Sequence, residues 1–367
     1  MMPTAPEALA GWLPAPAAAW ATPGERVLAI VPGFAADLND AAIPSLRALL
    51  LELAAAGCAV QVLALRHPPG PRSYAVGPLA VETLGAGDAR GLTRLQLLAR
   101  ARARAVAMAA DADRVIGFWA DEPGFLATEA GRARGIPADV ALMGGELAAL
   151  PGLGYGVGLQ RLGRWLVAQA LRRADRVSVG SAWLGARLEL DPTWQHRTAR
   201  DGAADYVVRP LPLEARYVAA RAPLRPLPTG GAPLRLGCAA NWVPVKRHAT
   251  LLRWVARARA GGRDVRLRLA GEGPERAALQ RLVRTLGVGD AVEFLGALEP
   301  AAMPAFYRGL DAHVLPSAWE AQGMASLEAM ACGTPATGSR VGTLADLDLG
   351  HDDGALARWI GAAAPRR

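Results

Sequence analysis

Glu320 and Glu328 stand eight residues apart in the stretch VLPSAWEAQGMASLEAMACGTP, residues 314–335. The first follows the strand-like run AHVLP (312–316) and falls in a loop. The second falls in a segment whose Ala, Met and Leu content favours helix. A helix beginning near Gln322 turns its free backbone N–H groups towards that loop, which makes a ready site for phosphate. Gly323 at the mouth lets a ligand approach the backbone closely. Glu328 then sits in the second turn, where a carboxylate can accept hydrogen bonds from a ribose diol, while Glu320 faces whatever hangs from the phosphate. The pattern fits a nucleotide sugar.

Elements able to hold such a site recur along the chain, where short β-branched runs alternate with helix-length segments. Strands are expected at 26–31, 59–65, 113–119, 138–143 and 175–180, then at 234–240, 265–271, 291–296 and 312–316. In the second series helices are expected from about Lys246, from Pro274 and near 301–309. This alternation specifies parallel sheets covered on both faces. Residues 209–233 interrupt it with six prolines and a Gly pair and read as a linker. The expected fold is α/β: two doubly wound, Rossmann-like domains facing a central cleft. Residues 1–24 form a loose leader, 25–208 the N-terminal domain, and 234–367 the C-terminal domain with a short tail. Ligands in such sheets bind outside the carboxyl ends of the strands.

The 367 residues suffice for two cores, and no stretch of eighteen apolar residues runs without charge or proline, which argues against a transmembrane helix. The formal charge of +8 attracts anionic partners, but arginine is spread over the whole chain, so no nucleic-acid partner is expected. The leader has an acidic residue and no basic start, unlike a secretory signal. Cys58, Cys238 and Cys332 lack metal-ligand or redox spacing and suit a reduced, cytoplasmic setting. The five histidines show no zinc spacing, and no metal site is expected. Basic segments 90–106 and 161–173, the latter with Leu162, Trp165 and Leu166 at helical spacing, admit two readings. They are solvated helices with a core-facing stripe, or helices lying on anionic lipid at the inner face of a membrane. Asp121 likewise either holds acceptor hydroxyls or caps a helix with Pro123 in its first turn.

Further motifs accompany the glutamate pair in order: VPVKRH (243–248), the GEGPE loop (Gly271 to Glu275), VEFLG (292–296), Pro316 and Ser317, and EAMACGTP (328–335). Together they make residues 234–345 resemble the donor-binding half of the retaining glycosyltransferases of family 4, which have the GT-B fold. The resemblance implies that Glu328 binds the ribose and Glu320 the donor sugar. It gives Gly323 and Met324 backbone contacts to sugar and phosphate, lays Phe294 and Leu295 against the nucleobase, and makes Lys246 the cation that neutralises the departing diphosphate. A point charge on a flexible stem suits that last role. The N-terminal half resembles the family's acceptor domain through ALMGGELAALP (141–151) and ALRRADRVSVGSAWL (170–184).

Several positions depart from the family. Asn241 stands where an arginine is common, five residues before Lys246, and Arg247 is the obvious substitute for its charge. Met143 stands where many members have histidine, leaving Glu146 or the Gly144 and Gly145 backbone to line the acceptor side. The junction VPGFAADLNDAAIP (31–44) lacks the usual Gly-Gly turn, and the short end of the chain implies a loosened crossing helix. The implied function is transfer of a sugar from a UDP-, GDP- or ADP-linked donor, with retention and without a metal or other cofactor. The acceptor is a glycan, a lipid-linked molecule or a small molecule. An impaired nucleotide-sugar-binding relative, acting as a binding or partner protein, is the alternative.

Overall fold

The computed structural model describes residues 19–361 except 39, 41, 202–205 and 227–231, and only the backbone of 198–201. Most of the expected leader therefore lies outside the described residues. The chain divides into two compact units between Pro212 and Leu213.

In the first unit the order is β1 (Arg26–Gly33), α1 (Pro44–Ala55), β2 (Ala59–His67), β3 (Arg72–Val76), β4 (Leu79–Thr83), α2 (Gly91–Met108), β5 (Arg114–Phe118) and α3 (Glu122–Arg134). There follow β6 (Ala138–Leu142), α4 (Arg161–Arg173), β7 (Arg176–Val179), α5 (Ala182–Glu189), α6 (Pro192–Asp201) and β8 (Tyr206–Val208). The sheet runs β3-β4-β2-β1-β5-β6-β7-β8, parallel except for the β3–β4 hairpin. Strand β6 is buried at every residue because helices cover both faces, and its one charge, Asp139, is paired with Arg114. Chain order reverses between β1 and β5, so their carboxyl ends open the crevice where ligands bind in such sheets.

The second unit holds α7 (Ala215–Ala219), β9 (Leu234–Ala239), α8 (His248–Ala260), β10 (Val265–Ala270), α9 (Arg276–Leu286), β11 (Val292–Gly296) and α10 (Met303–Arg308). It closes with β12 (Ala312–Leu315), α11 (Met324–Ala331), β13 (Ala336–Ser339), α12 (Gly342–Asp346), β14 (Gly350–His351) and α13 (Asp353–Gly361). Its parallel sheet has the order β11-β10-β9-β12-β13-β14, the doubly wound arrangement with its switch between β9 and β12. Leu236, Cys238, Leu252, Val255, Leu267 and Leu269 pack between sheet and helices, and Leu356 and Ile360 of α13 join them.

Three expectations shift. The helix expected from Lys246 begins at His248, because Pro244–Lys246 closes a single 3-10 turn and Arg247 takes a left-handed conformation at φ 53°. The helix expected near Gln322 begins at Met324, with Gly323 as a left-handed N-cap at φ 91°. The segment expected to be a linker packs from Leu213 onto the second unit: Tyr217 in α7 is buried, Ala222 N donates to Ala331 O, and Arg225 Nη2 donates to Leu310 O at 2.7 Å. Pro223 and Pro226 have no N–H to donate, and the backbone around them finds partners on a neighbour, Ala222 N on Ala331 O and Arg225 N on Gly333 O.

Candidate active site

Two loops at the carboxyl edge of the second sheet carry the expected charges. The turn after β9 presents Lys246, and the loop after β12 presents Glu320. Ala318 N donates to Val245 O at 2.8 Å, which straps one loop to the other. Lys246 Nζ then meets Glu320 Oε1 at 2.5 Å, with the side chains 24% and 11% exposed. A charge-assisted bond this sheltered holds both groups in place while leaving one edge of each open to a ligand. Lys246 is also the one lysine among the chain's 41 Lys and Arg residues.

From the other side α12 supports the Glu320 loop. Thr343 N donates to Gln322 O at 2.8 Å, and a Cβ on Gly342 would lie 2.7 Å from that same oxygen. Gly342 has φ 53°, so two constraints favour glycine there. Gly323 and Met324 follow at the start of α11, whose first amides face the loop.

Glu328, in the second turn of α11, is gripped by two phenols that sequence reasoning missed. Tyr307 Oη donates to Glu328 Oε2 at 2.7 Å, and the Tyr217 hydroxyl also hydrogen-bonds the carboxylate. Burial pushes Glu328 up to about 7 against the lowering effect of both tyrosines. Tyr307 belongs to an expected helix and Tyr217 to the expected linker, and no spacing ties either to position 328. Nearby His248 and His313 are buried and pushed down to about 4 and about 3, first by desolvation, so both rings are neutral at pH 7.

Phe294 and Leu295 lie in β11, an edge strand. The β10–β11 register slips after Leu269–Phe294, so that Ala270 faces Gly296 and Leu295 is left out of the ladder. An edge strand turns a row of backbone donors and acceptors outward, and the slip frees more. Phe294 packs edge-on against Trp242 at 5.5 Å, and the GEGPE loop closes around that tryptophan through Trp242 N to Glu272 O and Glu275 N to Trp242 O. Asn241 is exposed in the same turn as Lys246. Arg247, expected to replace the missing arginine, is instead ion-paired with Asp353 at the start of α13.

In the first unit Glu146 is 3% exposed and holds a loop together. Its oxygens accept from Met143 N at 2.8 Å, Gly144 N at 2.7 Å and Ala120 N at 3.3 Å. Burial pushes this carboxyl up to about 7 despite those amides, with Asp121's charge adding to the rise. Gly144 and Gly145 are packed against Trp119 and Tyr155, where a Cβ would come within 3.0 Å and 2.8 Å. Asp121 occupies the N-cap position of α3 with Pro123 in the first turn, though its side chain makes no capping bond. Burial and the Glu122 charge push it up to about 6. The structure thus joins Lys246 with Glu320, and Asp121 with Glu146, each set within its own unit.

Among the described residues no helix is long and apolar enough to cross a membrane, and no group of three or more His, Cys, Asp or Glu could hold a metal ion.

Comparison with known proteins covers both units. Residues 230–357 match the family described as glycosyl transferases group 1, and residues 42–200 match the glycosyl transferase 4-like domain. A 2-deoxystreptamine glucosyltransferase of Streptomyces kanamyceticus is 32% identical over 231 residues, 56% of this chain and 58% of that protein. D-inositol 3-phosphate glycosyltransferase 2 of Catenulispora acidiphila is 38% identical over 100 residues, 24% of this chain and 23% of that protein. The chain spans no more than 58% of the length of the first curated relatives it matches. Among solved structures, sucrose-phosphate synthase from Thermosynechococcus elongatus superimposes with a TM-score of 0.69 at 19% identity over 91% of this chain and 88% of that one. Anabaena HepE in complex with UDP and glucose gives 0.59 at 17% identity, covering 92% and 89%. These likenesses show the GT-B fold.

Proposed function

The chain belongs to the glycosyltransferases of family 4 type, and from that premise we propose that it moves a sugar from a nucleotide donor to an acceptor with retention of anomeric configuration. The donor lies on the second unit and the acceptor on the first. The observation that carries this reading is the Lys246–Glu320 contact, the sole lysine of an arginine-rich chain held against the first motif glutamate.

Lys246 neutralises the diphosphate as it leaves, aided by the first amides of α11 at Gly323 and Met324; preorganised charge of this kind stabilises the transition state without reorganisation cost. Glu320 binds hydroxyls of the donor sugar, Glu328 the ribose diol, and Asn241 donates a neutral hydrogen bond to phosphate. The outward backbone at Phe294 and Leu295 meets the base. The leaving phosphate oxygen takes the acceptor proton while the new bond forms on the same face of the sugar. HepE was solved with UDP, which makes UDP the first nucleotide to test, with GDP and ADP beside it. The relatives' names supply D-inositol 3-phosphate and 2-deoxystreptamine as first acceptors to test. The setting is cytoplasmic, and exposed Leu92, Leu95 and Trp165 beside basic residues of α2 and α4 provide for peripheral membrane contact. The retained Lys246–Glu320 pair does not favour an impaired relative.

Glu320→Gln keeps the shape of the loop and removes the charge. It is expected to lower sugar transfer about 100-fold while changing nucleoside diphosphate affinity less than about threefold. Loss of nucleotide affinity equal to the loss of turnover would contradict the assignment of Glu320 to the sugar.

A further inference from the structure

The turn that carries Lys246 is built against local preference. Arg247, the next residue, takes φ 53° and ψ 35°, the left-handed region that suits glycine and is costly for a residue with a Cβ. It is also the N-cap of α8 and makes no side-chain capping bond there. A guanidinium at that place stands at the positive end of the helix dipole. Backbone strain, a missing cap and an unfavourable charge thus meet at one residue. Such conflicts persist only where the surrounding structure over-determines them.

The group that overrides them is one carboxylate. Arg247 Nη1 donates to Asp353 Oδ1 at 3.1 Å and Nη2 pairs with Oδ2, a two-pronged contact between residues 106 apart in sequence. Asp353 is the first residue of α13, where that helix's own dipole favours a carboxylate. The helix behind it is seated on α8: Leu356 and Ile360 are fully buried in one cluster with Leu251, Leu252 and Val255. Past the far end of α8, Arg263 Nη1 donates to Trp359 O at 3.3 Å, so the two helices are joined start to start and end to end.

The consequence falls on Lys246. Its turn closes through Lys246 N to Val243 O at 3.0 Å and Arg247 N to Pro244 O at 3.1 Å, and α8 hangs from Arg247 O, which accepts from Thr250 N at 2.9 Å. Val245 on one side is buried and strapped to the Glu320 loop, and His248 on the other is buried too. Rotating Arg247 out of the left-handed region swings the chain between Lys246 and α8, and the lysine's aim changes with it.

We propose that Asp353 is a positioning residue for sugar transfer: by holding Arg247 in its left-handed conformation it aims Lys246 at Glu320 and at the departing diphosphate. This deepens the proposed function and rests on it for the role of Lys246. The tether from α13 to the turn stands on geometry alone.

The chain's single lysine supplies the readout. Full-length protein labelled with carbon-13 at lysine Cε gives one side-chain resonance, and Glu320→Gln marks where that resonance lies once the ammonium is released. Asp353→Asn, which keeps the size of the side chain and removes its charge, is expected to move the resonance towards that position. By calorimetry it is expected to reduce the preference for UDP over UMP about threefold, as a turn competent about one time in three would. Exposed ion pairs contribute little to global stability, so the melting temperature is expected to change by less than about 3 °C. Adding Arg247→Gly to Asp353→Asn is expected to return both the resonance and the UDP preference, because glycine takes the left-handed turn without a tether. A resonance and a UDP preference that Asp353→Asn leaves untouched would overturn the proposal. So would changes that Arg247→Gly does not reverse, by assigning Asp353 to the stability of α13 instead. If UDP leaves the wild-type resonance in place while Asp353→Asn still moves it, the donor reading fails and the tether stands.

Discussion

The placement of the two motif glutamates, one in a loop after a strand and one in the following helix, was legible in the sequence, because it depends on spacing. A loop glutamate, a glycine and a helical glutamate define where each carboxylate must point before any tertiary contact is known. The lone lysine was a further signal in the composition: forty other positions are served by arginine, and one keeps a compact ammonium. Tyr307 and Tyr217 were not legible, because they reach Glu328 from separate elements that only folding brings together. The burial that outweighs their grip has a measurable consequence. Glu328 and Glu146 are each raised to about 7, and Asp121 to about 6, by burial. Between the ordinary carboxylate range and these values the folded state holds protons that the unfolded chain has released, so stability falls as pH rises. The melting temperature is therefore expected to drop between about pH 5 and pH 7.5, and Glu328→Gln, which can still accept from Tyr307, to reduce that drop. A melting temperature that rises over this window, or a slope unaltered in Glu328→Gln, would refute a carboxyl whose burial outweighs its hydrogen bonds.

Elements were legible as types and less so as boundaries. Each apolar run became a strand, since parallel strands covered on both faces leave a continuous apolar record. The short strands β13 and β14, with sequences ATGS and GH, carry no such record and form because the sheet edge is already there to pair with. The start of α11 moved from near Gln322 to Met324 because Gly323 takes a positive φ that ends the loop, a choice set by contacts with β12 and α12. The loop's support is local and testable. In Gly342→Ala the new methyl meets Gln322 O in a left-handed backbone conformation, which is expected to cost about 1–3 kcal/mol of stability. Because the displaced segment leads directly into the Gly323 and Met324 amides assigned to phosphate, UDP affinity should fall about fivefold or more in the refolded variant. Thermal unfolding and calorimetry on the same sample check both, and an unchanged melting temperature would show that α12 does not brace the loop. Arg247 marks the limit of motif reasoning at this scale: its charge was expected to face the phosphates, and folding committed it to Asp353 about a hundred residues later.

At the scale of the whole chain, two Rossmann-like units could be read from the alternation of strands and helices, and the second was read in more detail because its motifs lie close together in sequence. The first unit's chemistry was harder to read. Asp121 and Glu146 stand 25 residues apart, and Arg66, Arg94 and Glu122 come from three elements, so their meeting is a property of topology. The account as a whole turns on whether the second unit binds a nucleoside diphosphate through the motif pair. Calorimetric titration of the full chain with UDP, GDP and ADP, with Glu328→Ala as control, asks this directly. Selective micromolar binding of one of them, weakened at least about tenfold in Glu328→Ala, is the predicted result. Binding by none of the three, or affinity indifferent to loss of the Glu328 carboxylate, would contradict the account.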